Sequence, residues 1–123
     1  MQSTPQNYKD LVVWQKGIAL AKAIYQLTSK FPAEEKFGLV SQMRRAAISI
    51  PSNIAEGQAR HTTGEFIQSI SHAEGSTAEL ETQLILSIEL DCVAKDHAKT
   101  HFVLVDEIRR MLNGLRRKLS GAS

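Results

Sequence analysis

Residues 62–90 read TTGEFIQSISHAEGSTAELETQLILSIEL. Phe66, Ile70, Ala73, Thr77, Leu80, Leu84 and Ser87 recur at alternating spacings of four and three. At that interval side chains return to one side of an α-helix and form a heptad-like seam. Thr62 stands three residues before Glu65, the spacing of a capping box that satisfies free N–H groups at a helix start. Between Ala73 and Ala78 the residues Gly75, Ser76 and Thr77 are small, so a neighbouring helix can approach closely. No sustained two-residue alternation, the mark of a half-buried strand, competes with this reading.

The same period extends outward on both sides. Asp96 to Leu119 carries a core stripe of His101, Leu104 or Val105, Ile108, Met111 or Leu112, Leu115 and Leu119. Asn113-Gly114 favours turns, but the apolar spacing runs through it, so the helix is expected to stay whole. On the other side, Pro32 is placed as a first helical residue, with Glu34 and Glu35 at the positive end of the dipole and Gly57 as a C-terminal stop. Phe37, Val40, Ala47 and Ile48 form one face of that helix, widened by Leu39, Met43, Ile50 and Ile54. Pro51 lies inside it and predicts a kink, because it removes one backbone hydrogen bond. Ser52 or Asn53 is expected to satisfy the freed carbonyls.

The first helix is expected from Tyr8 to Ser29, ended by Phe31-Pro32. It carries two apolar stripes. One is Leu11, Trp14, Ile18, Ala21 and Tyr25; the other is Val13, Leu20, Ile24 and Leu27. At about 100° per residue they lie on nearly opposite sides. A peripheral helix of a monomeric bundle needs one such stripe. Soluble monomers rarely leave a second exposed. We therefore expect Val13, Leu20, Ile24 and Leu27 to form a subunit interface of a homo-oligomer. Helices at about 8–29, 32–57, 62–90 and 96–119, joined by short connections, predict one domain over 1–123. Its fold is all-α, an antiparallel up-down-up-down four-helix bundle.

Composition bounds the function. The chain has 123 residues, 42% apolar and 23% charged, with 15 Lys and Arg against 13 Asp and Glu. That is a globular balance with less positive excess than strong nucleic-acid binders carry. The lone Cys92 rules out an internal disulfide and suits a reducing compartment. The polar segment Met1 to Asp10 lacks the apolar core of a signal peptide, and no apolar run approaches the ~20 residues of a membrane span. A cytoplasmic location is expected, with no membrane contact.

Catalytic patterns are missing. No acidic residue stands three before His61, His72, His97 or His101, so the Glu-x-x-His pairs of di-iron bundles are absent. His97 and His101 are four apart, as zinc ligands can be, but no H-E-x-x-H arrangement surrounds them. They read as solvated or partly packed, and no metal or other cofactor is expected. Phosphate-binding glycine loops and a G-x-S-x-G elbow are also missing. We expect no enzyme.

The basic residues are more informative. Arg109, Arg110, Arg116, Arg117 and Lys118 crowd the end of the last helix, where cations complement the dipole. The functional reading is a patch contacting RNA or DNA phosphates. It lacks the aromatic interleaving of a single-strand binder. Arg44 lies on the Phe37–Val40–Ala47 face and must either snorkel out to water or find an acidic partner, for which Glu79 or Glu74, in its own chain or another copy, can serve.

Ser49-Ile50-Pro51-Ser52-Asn53-Ile54-Ala55-Glu56-Gly57 resembles the signature of a bacterial four-helix bundle family associated with intervening sequences in 23S rRNA genes. Supporting matches are Leu11-x-x-Trp14-Gln15-Lys16, Phe31-Pro32-x-x-Glu35-x-Phe37-Gly38-Leu39, Gln42-x-Arg44-Arg45-Ala46-Ala47 and Gly75-Ser76-x-x-Glu79-Leu80. They cover nearly the whole chain in order. The resemblance implies a ring-shaped homopentamer without catalytic residues. It also implies a fold shared with accessory proteins of diversity-generating retroelements, which bind a reverse transcriptase and nucleic acid. The expected function is a non-enzymatic oligomeric scaffold that binds nucleic acid, or a protein that handles it, through the basic residues. The alternative is a protein–protein adaptor that never touches nucleic acid.

Overall fold

The computed structural model describes residues 7–121; Met1 to Gln6, part of the polar N-terminal segment, and Ala122 and Ser123 of the tail lie outside the described residues. Four α-helices account for most of the chain: α1 Val12–Thr28, α2 Ser41–Gln58, α3 Thr63–Glu89 and α4 Lys95–Leu119. Helices consecutive in sequence are neighbours in space, and α1 also meets α4, closing the square of an up-down-up-down bundle. The α2–α3 seam is the most extensive and the α1–α4 seam the thinnest.

The α3 seam behaves as its spacing predicts. Ile70, Ala73, Thr77, Leu80, Leu84 and Ser87 are buried and Phe66 packs at the edge. Thr62 caps α3, its hydroxyl accepting from the Glu65 N–H at 3.1 Å. Ser76, one of the small residues, meets Ser49 of α2 at 2.5 Å. In α4 the alternatives resolve to Val105 and Leu112, with Ala98 and Ile108 alongside; Leu104, Met111, Leu115 and Leu119 pack around them. The helix runs unbroken through Asn113-Gly114.

Helix 1 corrects the expectation about its stripes. Val13, Leu20 and Ile24 are buried in the subunit's own core, and Leu27 packs against it. The other stripe faces out: Ile18 and Tyr25 are exposed, and Trp14 and Ala21 are half-buried. The reason lies in Gly17, which continues the Val13–Leu20–Ile24 seam. A Cβ built there would stand 3.3 Å from Pro51 Cβ. Without one, α1 settles against α2 on that side and takes its aliphatic stripe inward. Trp14 and Tyr25, whose polar tips favour water, remain at the surface. The helix also starts later than expected: Tyr8–Asp10 is a 3-10 turn capped by Asn7, and extended Leu11 separates it from α1.

The expected helix from Pro32 is three pieces. Pro32 itself is extended, Ala33–Glu35 is a 3-10 turn and Lys36–Val40 a π-helical turn. The wider π turn brings Leu39 and Val40 into the core and leaves Phe37 89% exposed. Ile48, expected on the same buried face, is also exposed. Pro51 is buried inside α2. Its missing N–H leaves the Ala47 carbonyl without its usual partner. Asn53 Nδ2 donates instead to the Ser49 carbonyl, at 2.8 Å, so the expected satisfaction of the freed carbonyl does not occur through Asn53. Gly57 is no stop either, since α2 runs on through Gln58. It is a contact point, where a Cβ would stand 2.5 Å from Ser69 Cβ on α3.

The turn between α3 and α4 is a Schellman motif. Asp91 adopts φ 60°, its N–H reaches the Ile88 carbonyl, and the Cys92 N–H reaches the Ser87 carbonyl at 2.9 Å. That left-handed position usually holds glycine.

Candidate functional site

Three of the four arginines of α4 are drawn into ion pairs. Asp106 accepts from Arg109 and also from Arg110, at 3.0 Å for the latter. Arg116 reaches Glu74 of α3 at 2.9 Å and Asn113 at 3.2 Å. A carboxylate beside a guanidinium cancels much of the field a phosphate would feel. Only Arg117 and Lys118 of the expected patch stand exposed without an ion pair among the described residues.

Arg44 corrects a second expectation. Its partner is neither Glu79 nor Glu74. Its Nε donates to Thr28 Oγ1 at 2.9 Å and its Nη2 to the Tyr25 carbonyl at 3.2 Å, with the guanidinium 4.4 Å from the Tyr25 ring centroid. The C-terminal end of α1 carries a negative dipole, which suits a cation. Glu79 stands exposed and meets Gln83 of its own helix at 3.4 Å.

This places Arg44 in a groove of about 640 Å³ at the α1–α2 corner, with Tyr25, Lys36, Phe37, Ser41, Arg45 and Ile48 around it. Lys36 Nζ lies 5.6 Å from the Phe37 centroid. Among the described residues, Lys36, Arg44 and Arg45 enter no ion pair. The sequence reading missed this corner because Phe37 looked like a core residue. The signal was the run of cations, Lys36, Arg44 and Arg45, flanking it.

Two apolar surfaces stand on opposite sides of the square. Trp14, Ile18, Ala21 and Ile48 line a shallow groove between α1 and α2. Ile85, Ile88, Phe102 and Val103 line another between α3 and α4, rimmed by Glu89, Lys95, Asp96 and Lys99. Ile18 is 44%, Ile85 51% and Val103 63% exposed.

A third hollow, of about 740 Å³, lies where the end of α1 meets the α3–α4 turn, with Lys30, Cys92, His97 and His101 in its walls. His101 Nδ1 is buried without a hydrogen-bond partner among the described residues. Burial pushes the Cys92 thiol up, and the Glu35, Glu34 and Asp91 carboxylates add to it, which disfavours the thiolate a nucleophile needs. Among the described residues, no three His, Cys, Asp or Glu side chains converge to hold a metal ion. No helix there is long and apolar enough to cross a membrane.

No curated protein matches the chain. The architecture is similar to a crystal structure from Bacteroides thetaiotaomicron, a protein of unknown function from the S23 ribosomal protein family. The two superpose with a TM-score of 0.80 at 25% identity, covering 86% of this chain and 99% of that one. The family model described as 23S rRNA-intervening sequence protein matches residues 9–114. With nearly all of the bundle inside that match, from the 3-10 turn to the last turns of α4, the chain belongs to the 23S rRNA-intervening sequence protein family.

Proposed function

We propose that this chain is a non-enzymatic helical scaffold that assembles with copies of itself. The observation that carries this reading is the pair of exposed apolar surfaces on opposite sides of one bundle. Scattered apolar residues on a surface are ordinary, but contiguous patches mark interaction sites. Each large aliphatic side chain buried between copies contributes about 1.5–3 kcal/mol before association costs. The surfaces differ in sequence and in place, so the α1–α2 groove of one copy meets the α3–α4 groove of the next. Such a head-to-tail contact closes into a ring when its rotation allows, and five copies is the number the family resemblance implies.

Mass measured by light scattering at micromolar concentration tests this. The wild type is expected as one discrete oligomer. Ile18→Glu and Val103→Glu are each expected to give folded monomers, because each lies on a different half of the contact. A monomeric wild type ends the proposal. Dissociation by Ile18→Glu alone replaces the ring with a symmetric dimer through α1 and α2.

A further inference from the structure

We propose that the α1–α2 corner formed by Tyr25, Lys36, Phe37, Arg44 and Arg45 is a binding site for single-stranded nucleic acid. The site adjoins the α1–α2 assembly groove, sharing Ile48 with it, and does not require an oligomer.

Phe37 is the first ground. It is the most exposed large apolar side chain in the bundle, at 89%. A phenylalanine has no polar tip to justify that position, so its ring is in contact with water at a cost. The π turn Lys36–Val40 puts it there while Leu39 and Val40 go inward. Single π turns in helices occur often at functional sites. An open aromatic ring is the platform on which an unpaired base stacks, whatever the base.

Charge is the second ground. Lys36 and Arg45 are exposed and Arg44 is fixed by Thr28 and the Tyr25 carbonyl. Both of Arg44's hydrogen-bond partners are neutral and, among the described residues, no carboxylate pairs with it, so much of its positive charge remains. The groove thus offers three cations within reach of one aromatic platform. A strand laid through it places phosphates on the cations and a base on Phe37. Ser41 supplies a hydroxyl on the same wall. The α4 arginines offer neither property: three are paired with carboxylates and no aromatic ring lies among them.

A duplex does not suit the corner. Its bases are stacked internally and present no face to Phe37, so duplex affinity rests on phosphate contacts alone. Preference for a single strand is the distinguishing property.

The test is fluorescence anisotropy with labelled single-stranded RNA, single-stranded DNA of the same sequence, and duplex DNA, each across a salt series. Single strands are expected to bind more tightly than the duplex, with affinity falling linearly on a log–log plot against salt. Phe37→Ala is expected to weaken single-strand binding about five- to hundred-fold, and Phe37→Trp to restore it. Lys36→Glu with Arg45→Glu is expected to weaken binding strongly and reduce the salt slope. Arg109→Glu with Arg110→Glu is expected to leave single-strand affinity unchanged. All five positions are exposed, and circular dichroism verifies the fold. Tighter RNA than DNA binding indicates a contact to the 2′-hydroxyl; equal binding indicates stacking and phosphates alone, and both support the site. Unchanged affinity in Phe37→Ala, or no single-strand binding at low salt, overturns it. So does a change of oligomer mass in Phe37→Ala without a change in affinity, which makes the corner a contact between copies.

Discussion

Where α2 passes into α3, the bundle is closed. Gly57 lets the two helices touch at Ser69 and Phe66, Thr62 caps the incoming helix, Arg60 pairs with Glu56 at 2.7 Å, and a little further along Arg116 meets Glu74. At the other end, where α1 passes into α2 and α3 into α4, comparable groups are left open. Phe37 points into water, Lys36 and Arg45 have no carboxylate, Ala94 begins α4 without a capping side chain, and Asp91 holds a conformation that favours glycine. Both ends have a packed interior, so the difference is not one of folding. It concerns whether polar and charged groups are satisfied within the chain. Local rules broken without compensation mark functional or strained places; Phe37 and Asp91 gather at one end, while the other keeps the uncapped start of α1 and, among the described residues, the unpaired Arg117 and Lys118.

The largest effect is expected at the closed end. Gly57→Ala gains about 0.5–1 kcal/mol of helix preference, but its Cβ meets Ser69 Cβ, an atom fixed to the α3 backbone that no rotamer change removes. Overpacking of that kind costs about 1–3 kcal/mol. A net loss is expected, read as a lower denaturant midpoint at unchanged slope. A midpoint at or above wild type shows that the helices separate cheaply there, and the closed end is then no tighter than the open one.

Helix starts give a reciprocal pair. Thr62→Ala removes a cap and is expected to lower stability by about 1 kcal/mol. Ala94→Ser supplies a cap that α4 lacks, at a backbone of φ −74° and ψ 146° already suited to it, and is expected to raise stability by a similar amount. The comparison fails if Ala94→Ser gains nothing, because the free N–H groups of α4 are then satisfied in some other way.

What was legible follows from how local each signal is. The α3 seam and the Thr62 cap depend on residues at most four apart, and the structure reproduces both. The stripe of α1 that faces the core depends on α2, and the choice was read backwards. Gly17 held the clue: with Val13, Leu20, Ile24 and Thr28 it completes one seam, and all five are buried. Arg109 and Arg110 sit three and four residues after Asp106, so their neutralisation was readable in the sequence. That of Arg116 by Glu74 was not, because 42 residues separate them. The exposure of Phe37 depends on a π turn, which an apolar period of 3.6 does not encode.

The smallest effect concerns Cys92, at the open end. The thiol lies above its ordinary value of 9.0, chiefly through burial and then through Glu35, Glu34 and Asp91. A raised value means the folded protein holds the proton more tightly than the unfolded chain does. The resulting share of stability is present at neutral pH and is lost as pH rises through the folded value. Because the thiolate is the reacting form, alkylation by iodoacetamide in the folded protein is expected to reach half its maximal rate above pH 9.0. Glu35→Gln with Glu34→Gln is expected to lower that midpoint partway, leaving the part due to burial. A wild-type midpoint at or below 9.0 means that the nearby cation Lys30 outweighs the carboxylates. The field at this end is then positive on the Cys92 side as well as beside Phe37, and the open end attracts anions over a wider arc than one corner.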